Sequence, residues 1–204
     1  MKKEGFPKVK ICGLSRVSDI EAVNAAKPDY VGFVFAESRR KVTPRQAADL
    51  RKRLLAGIIP VGVFVNETID NIIPLVRAGV IEVIQLHGSE TEEYIAKIKS
   101  LSGRLVIKAV SVTKEGDAQK RGDTCADYLL LDGKMGGSGK NFDWNLIGVI
   151  QKPFFLAGGL NIENVKRAIG KVNPFAVDIS SGVETDGVKD GEKIKLIVGR
   201  VRYG

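Results

Sequence analysis

Apolar residues along the chain gather in short runs, separated by longer stretches in which polar and apolar positions alternate at helical spacing. Runs rich in Val, Ile, Leu and Phe start near Lys8, Tyr30, Ile58, Val83, Arg104, Tyr128, Pro153 and Pro174. Between them stand helix-start signals. Ser18 with Glu21, Thr43 with Gln46 and Ser89 with Glu92 each fit the S/T-x-x-E/Q capping box, in which two side chains satisfy unpaired N–H groups of the first turn, and Pro44 takes the favoured first helical position. After Asn161, residues Ile162, Val165, Ile169 and Val172 form one apolar stripe.

Strand alternating with helix implies βαβ units and a parallel sheet. The eight starts recur about every 24 residues, which is tight but compatible with a closed barrel of usual size ~250 residues and lower limit near ~200. A doubly wound open sheet would use fewer strands and normally a Gly-rich dinucleotide turn after the first. The turn here reads Cys12-Gly13-Leu14-Ser15, without G-x-G-x-x-G. No linker or low-complexity tract interrupts the alternation. The expectation is an α/β fold: a compact (β/α)8 TIM barrel forming a single domain over residues 1–204.

Side chains of a barrel strand point alternately to the helices and to the barrel interior. Val9 and Ile11 share one face of the first strand, Lys10 and Cys12 the other. Likewise Ile84 and Leu86 oppose Gln85 and His87; Leu129 and Leu131 oppose Leu130 and Asp132; Val177 and Ile179 oppose Asp178 and Ser180. The apolar parity suits the helix layer, so the polar set is expected to point inward. Its members cluster at the C-terminal strand ends, where barrel enzymes place their chemistry.

Composition narrows the classes. With 44% hydrophobic and 27% charged residues among 204, the chain is neither globally disordered nor membrane-inserted. Its longest apolar runs, such as Val61–Val65 and Tyr128–Leu131, fall far short of the ~20 residues that cross a bilayer. The basic start, MKKEGFPKVK, leads into no secretory apolar stretch, and a cytoplasmic location is expected. Cys12 and Cys125 are too few for a disulfide framework or an all-Cys zinc site. The net charge of +8 is spread along the chain, densest at Arg39-Arg40-Lys41 and Arg51-Lys52-Arg53, without interleaved aromatics. That pattern argues against nucleic acid and for steering of a small anionic substrate.

Individual residues keep plain readings as well. A lone Cys is usually a small buried hydrophobe, and Cys125 keeps that reading. Cys12 departs from it, because it ends a strand on the polar parity with Lys10, whose ammonium favours a thiolate. Asp132 alone fits an Asp-Gly turn, and His87 alone fits a hydrogen-bonded structural imidazole. Two glycine-rich places compete for phosphate. Gly133–Lys140 only superficially suggests a P-loop, since the required first glycine is Lys134 and the Ser/Thr after the lysine is Asn141. Ala157-Gly158-Gly159 and Ser180-Ser181-Gly182 close the seventh and eighth strands, the usual phosphate position of a barrel.

Taken in order, Val9-Lys10-Ile11-Cys12-Gly13, Gly32-Phe33-Val34-Phe35 with Ser38-Arg39-Arg40, Val61–Asn66, and Gln85-Leu86-His87-Gly88 resemble the phosphoribosylanthranilate isomerase family of tryptophan biosynthesis. So do Leu130-Leu131-Asp132, Gly136–Gly139 with Phe142-Asp143-Trp144, Ala157–Leu160 and Asp178–Glu184. The resemblance spans nearly the whole chain. It implies a (β/α)8 barrel that carries out an Amadori rearrangement of N-(5'-phosphoribosyl)anthranilate to 1-(2-carboxyphenylamino)-1-deoxyribulose 5-phosphate, the third pathway-specific step from chorismate, without cofactor or metal.

Carried over position by position, the family's general base falls on Cys12 and its general acid on Asp132. Acid and base then need opposite protonation states in one site, with the carboxyl held protonated by phosphate and apolar walls and Lys10 helping the thiolate. Arg40 corresponds to the arginine that pairs with the anthranilate carboxylate, and Arg39 competes with it. Gln85, His87 and Asp178 correspond to substrate contacts, and Gly158, Gly159, Ser180, Ser181 and Gly182 to phosphate loops. Two departures stand out: Lys41 replaces a residue often aromatic in the family, and the loop Gly133–Met135 is short. The implied partner is the phosphosugar-anthranilate substrate, with no nucleic acid or membrane, in a monomer or homodimer. Rival phosphosugar barrels fit less well. A ribulose-phosphate epimerase would want metal ligands at several strand ends, and an indole-glycerol-phosphate synthase Lys and Glu catalysts.

Overall fold

The computed structural model describes residues 6–133 and 143–204. Eight parallel strands close into a barrel in sequence order. They are β1 (Lys8–Cys12), β2 (Tyr30–Val34), β3 (Ile59–Phe64), β4 (Val83–Leu86), β5 (Leu105–Ser111), β6 (Tyr128–Asp132), β7 (Phe154–Leu156) and β8 (Ala176–Ile179). Each begins within two residues of the apolar run that predicted it. The ring closes where β1 pairs with β8, setting Lys10 opposite Asp178.

The strand parity holds. Val9, Ile11, Ile84, Leu86, Leu129, Leu131, Val177 and Ile179 join the core between barrel and helices. A second core fills the barrel itself, with Tyr30, Val61, Val83, Ile107, Leu130, Phe155, Ala157 and Ala176. Phe155 meets Tyr30 and Tyr128 edge-on at centroid distances of 5.5 and 5.6 Å, the favourable arrangement for aromatic quadrupoles, and plugs the barrel below the polar strand ends. Each fully buried large aliphatic or aromatic side chain contributes about 1.5–3 kcal/mol relative to exposure.

Six α-helices are present among the described residues: α1 (Val17–Ala26), α2 (Pro44–Arg51), α3 (Ile69–Arg77), α4 (Glu92–Ser102), α5 (Val165–Val172) and α6 (Gly191–Tyr203). The expected helix after β5 is only a 3₁₀ turn, Gln119–Arg121. In that stretch Asp117 takes the N–H groups of Thr113 and Lys114 into a turn, and few apolar residues are available to bury. The described part of the β6–β7 connection likewise holds a 3₁₀ turn, Trp144–Ile147, capped by Asp143.

Capping patterns mark the helix starts less faithfully than apolar runs mark the strands. Thr43 and Gln46 form the reciprocal box at α2, with Pro44 at its first position. Ser18 lies inside α1, whose start is tied down by Asp19. That carboxylate accepts from the N–H groups of Ser15 and Arg16 and from the Arg16 side chain. At α4 the cap is Thr91, accepting from Tyr94 N–H, while Ser89 binds Asn66 and Glu92 reaches Thr124 and Cys125. The stripe from Ile162 begins in a turn, and α5 starts only at Val165. The P-loop-like stretch, the Gly136–Gly139 and Phe142 motif and most of the short loop Gly133–Met135 lie outside the described residues.

Candidate active site

The C-terminal strand ends open on a cavity of about 440 Å³. Cys12 from β1, Arg40 from the loop after β2, and Gln85 and His87 at the end of β4 line it. So do Asp132 from β6, Gly158 and Gly159 after β7, Asp178 from β8, and Ser180 and Ser181 after β8. These are the residues singled out in the sequence, with one exception. Gly182 packs against the Leu160 carbonyl, leaving no space for a Cβ, and does not line the cavity wall. A roomier groove of about 690 Å³ lies outside the barrel along α1 and α6, but it carries none of the strand-end groups.

Cys12 is 9% exposed, and its thiol has room because β2 puts Gly32 beside it. A Cβ on Gly32 would stand 2.6 Å from Cys12 Sγ. Lys10, fully buried one step below on the same face, donates to Asp178 Oδ2 at 2.9 Å. Burial alone would lower the Lys10 pKa; the charges of Asp178 and Cys12 outweigh it and hold the ammonium above the usual lysine value. The expectation that Lys10 favours a thiolate holds for that interaction but not for the sum. Burial dominates and pushes the Cys12 thiol up despite Lys10, and the Asp178 charge adds to the rise. Cys12 at rest is therefore a thiol at neutral pH.

On the far side of the cavity, Gln85 Nε2 stands 3.0 Å from His87 Nδ1, and His87 Nε2 lies 3.7 Å from Asp132 Oδ2. Two buried acceptors, Gln85 Oε1 and Asp178 Oδ1, have no partner among the described residues. Buried oxygens of this kind are costly unless a ligand donor meets them. The β7 loop turns through Gly158 and Gly159 at φ +89° and +65°, and Ser180 Oγ donates to the Cys12 carbonyl at 3.0 Å, tying the β8 loop to β1. Among the described residues, no group of three or more His, Cys, Asp or Glu side chains is placed to hold a metal ion, and no helix is long and apolar enough to cross a membrane.

The two arginines separate. The Arg40 side chain is 22% exposed and lines the cavity, whereas Arg39 is 57% exposed and does not. Both bind Glu184, to which the sequence pattern alone gives no site role. Glu184 also accepts from Lys189 Nζ at 2.8 Å. The two face each other on a small hairpin of β9 (Glu184–Thr185) and β10 (Val188–Lys189), joined through Asp186 and Gly187 at φ +53° and +80°. An Asp-Gly pair between two short runs is the sequence signal for such a hairpin, and could have found them. Lys41 pairs with Glu37, itself a residue of the cavity rim.

A family model described as N-(5'phosphoribosyl)anthranilate (PRA) isomerase matches residues 9–200. The N-(5'-phosphoribosyl)anthranilate isomerase of Clostridium acetobutylicum is 50% identical over 203 residues, covering 96% of this chain and 98% of the relative. The crystal structure of phosphoribosyl anthranilate isomerase from Thermotoga maritima superposes with a TM-score of 0.86 at 40% identity, covering 96% and 98%. Another phosphoribosyl anthranilate isomerase structure, in complex with reduced 1-(o-carboxyphenylamino)-1-deoxyribulose 5-phosphate, matches at TM-score 0.84 and 38% identity with the same coverage. A third structure, of monomers generated from the dimeric Thermotoga maritima enzyme, matches equally well, at TM-score 0.84 and 38% identity.

Proposed function

The chain belongs to the N-(5'-phosphoribosyl)anthranilate isomerase family and acts in tryptophan biosynthesis as an aldose–ketose isomerase, and on that premise we propose how its residues divide the reaction. Cys12 is the general base and Asp132 the general acid. The order of strands around the ring supports this assignment: β7 and β8 stand between β6, which carries Asp132, and β1, which carries Cys12. A sugar held by its 5'-phosphate on the β7 and β8 loops, through backbone N–H groups at Gly158 and Gly159 and the Ser180 and Ser181 hydroxyls, lies between acid and base.

Asp132 gives its proton to the furanose ring oxygen. The C1'–O bond breaks, and the anthranilate nitrogen supplies the electron pair that makes a protonated Schiff base. The Cys12 thiolate takes the C2' proton, and the C–H electrons form the C1'=C2' bond of an enolamine as the nitrogen regains its pair. Transfer of a proton to C1' and loss of the C2' hydroxyl proton complete the ketone, so the overall change is an isomerisation. The productive form carries the proton on Asp132 and not on sulfur; burial, which raises the Cys12 pKa, opposes that form, and the Lys10 charge favours it.

His87, held by Gln85, stands beside Asp132 and orients it, while the unpartnered oxygens of Gln85 and Asp178 accept from ribose hydroxyls. Arg40 grips the anthranilate carboxylate, with the planar fork that suits a carboxylate. The basic chain then steers a small molecule bearing two anionic groups, a phosphate and a carboxylate, and nucleic acid is not its partner. A monomer or homodimer is supported by the dimeric Thermotoga relative, and a cytoplasmic location by the family's place in amino-acid biosynthesis.

The observation that carries the assignment is the convergence of Cys12, Asp132 and both terminal loops on one cavity. The test generates phosphoribosylanthranilate in situ and follows its loss by fluorescence. Cys12→Ser and Asp132→Asn should each lose about 100-fold or more in kcat while remaining folded, the scale expected of a general acid or base. Near-normal turnover in either variant overturns the role of that residue.

A further inference from the structure

Glu184 has no part in the chemistry derived so far, yet it is the most heavily engaged carboxylate at the site. Its side chain is 5% exposed and meets three cations. Arg40 Nε donates to Oε1 at 2.6 Å and Arg40 Nη2 to Oε2 at 2.9 Å, a two-point grip on one edge of the guanidinium. Arg39 Nη2 donates to Oε2 and Lys189 Nζ to Oε1. Burial would lift the Glu184 pKa, but the hydrogen bonds from Arg40 and Lys189 outweigh it and hold the group at about 2. It is an ion throughout the working range.

The grip leaves Arg40 divided. Of its five N–H donors, Nε and one on Nη2 are committed to Glu184, while both on Nη1 have no partner among the described residues. The stem of Arg40 crosses Gly13, at φ +85°, where a Cβ would overlap Arg40 Cδ. With stem and inner edge both fixed, only the outer edge of the fork remains for a ligand. Lys189 carries the arrangement into the phosphate loop: its ammonium, 2% exposed, also donates to the Ser180 carbonyl at 2.8 Å.

We infer that Glu184 is a positioning residue. It holds Arg40 by the Nε/Nη2 edge and presents the Nη1/Nη2 edge to the substrate's carboxylate, so that recognition of the aromatic acid depends on a carboxylate that never touches it. This rests on the reading of Arg40 as the carboxylate-binding group, and the experiment separates the two. An unbraced arginine would still carry its charge but would spread over several rotamers, losing the preorganisation that makes a bidentate grip selective.

The test compares two substrates made from ribose 5-phosphate: the anthranilate compound and its aniline analogue, which lacks the carboxylate. Glu184→Gln should raise KM for the anthranilate substrate about tenfold, leave its kcat within about twofold, and leave KM for the aniline analogue unchanged, as loss of arginine preorganisation requires. Glu184→Asp, which keeps the charge with one methylene fewer, should show a smaller loss of the same selectivity, and it serves if the glutamine variant does not fold. Arg40→Ala should show the carboxylate-selective loss in full, and Glu184→Gln added to it should change nothing further. If Arg40→Ala weakens both substrates equally, the reading of Arg40 fails and the proposal with it. If Arg40→Ala is selective but the Glu184 variants impair both substrates equally, or neither, Glu184 is merely structural and the proposal alone is overturned.

Discussion

Replacing Lys108 by Met should destabilise the protein by about 3–5 kcal/mol, the cost of breaking a buried ion pair by removing one partner. Lys108 lies on β5, and both it and its partner Glu90 have side chains only 2% exposed. Its ammonium donates to Glu90 Oε2 and to the Gly88 carbonyl, each at 2.6 Å. Glu90 in turn accepts the N–H groups of Asn66 at 2.9 Å and Gly88 at 3.0 Å. Methionine fills most of the space but leaves a carboxylate and a carbonyl buried without their cation. For a domain of this size about 1 kcal/mol moves Tm by ~2–4 °C, so a drop of about 6–20 °C is expected by calorimetry. Adding Glu90→Gln should recover much of it, because removing both charges relieves the stranded one. Activity should fall in the single variant too, since Gly88 follows His87. Acid sensitivity carries the same signature. Burial would raise the Glu90 pKa, but the Lys108 hydrogen bond and the Asn66 N–H hold it below the usual 4.5. Its contribution is therefore complete above the unfolded value and lost as pH falls through the lower folded one. Without Lys108 the loss should begin at higher pH. A single variant melting within about 2 °C of the parent would refute the reasoning, because the buried charge would then cost almost nothing.

Other outcomes follow from the same geometry. Gly32→Ala should cut kcat more than tenfold with the barrel retained, since the new Cβ would stand 2.6 Å from Cys12 Sγ; unchanged turnover would show that the thiol position is not constrained there. Glu184, at about 2 against an ordinary 4.5, contributes stability that is whole above pH ~4.5 and drains away toward pH ~2. Melting curves of Glu184→Gln should lack that part of the acid dependence, and a parallel pH profile would contradict it. Because the productive form keeps one proton on the Cys12–Asp132 pair, kcat/KM should be level around neutrality and fall as pH rises through the raised Cys12 pKa, and Lys10→Met, which removes the charge opposing that rise, should shift the falling limb to higher pH. An unshifted limb would remove Lys10 from the account.

The strands were legible because a parallel barrel strand is buried on both faces, which leaves continuous apolar runs such as Tyr128–Leu131. Parity then placed Lys10, Cys12, Gln85, Asp132 and Asp178 correctly, since the side-chain period of two leaves no freedom once a strand's apolar face is fixed. Helix starts were less legible, because a carboxylate or hydroxyl near a helix start has competing uses: Asp19 secures α1 where Ser18 had the pattern, and Glu92 serves the loop holding Thr124. The strand–helix repeat predicts a helix after β5, where the local residues favour turns. Arg39 and Arg40 are chemically equivalent as sequence neighbours. They are told apart by Gly13, which the Arg40 stem crosses, and by the two-point grip that Glu184 gives Arg40, one near the start of the chain and one near its end. Glu184 itself acts through contacts 144 positions away in the chain, which no local pattern encodes.

The division of proton transfers between Cys12 and Asp132 is tested most directly by the isotope effect on turnover of substrate deuterated at C2'. In Cys12→Ser the weakened base should make C–H cleavage fully limiting, and the effect should rise toward its intrinsic value. In Asp132→Asn ring opening should limit instead, and the effect should fall to unity. The reverse pattern, or equal effects in both variants, would contradict the assignment of base and acid.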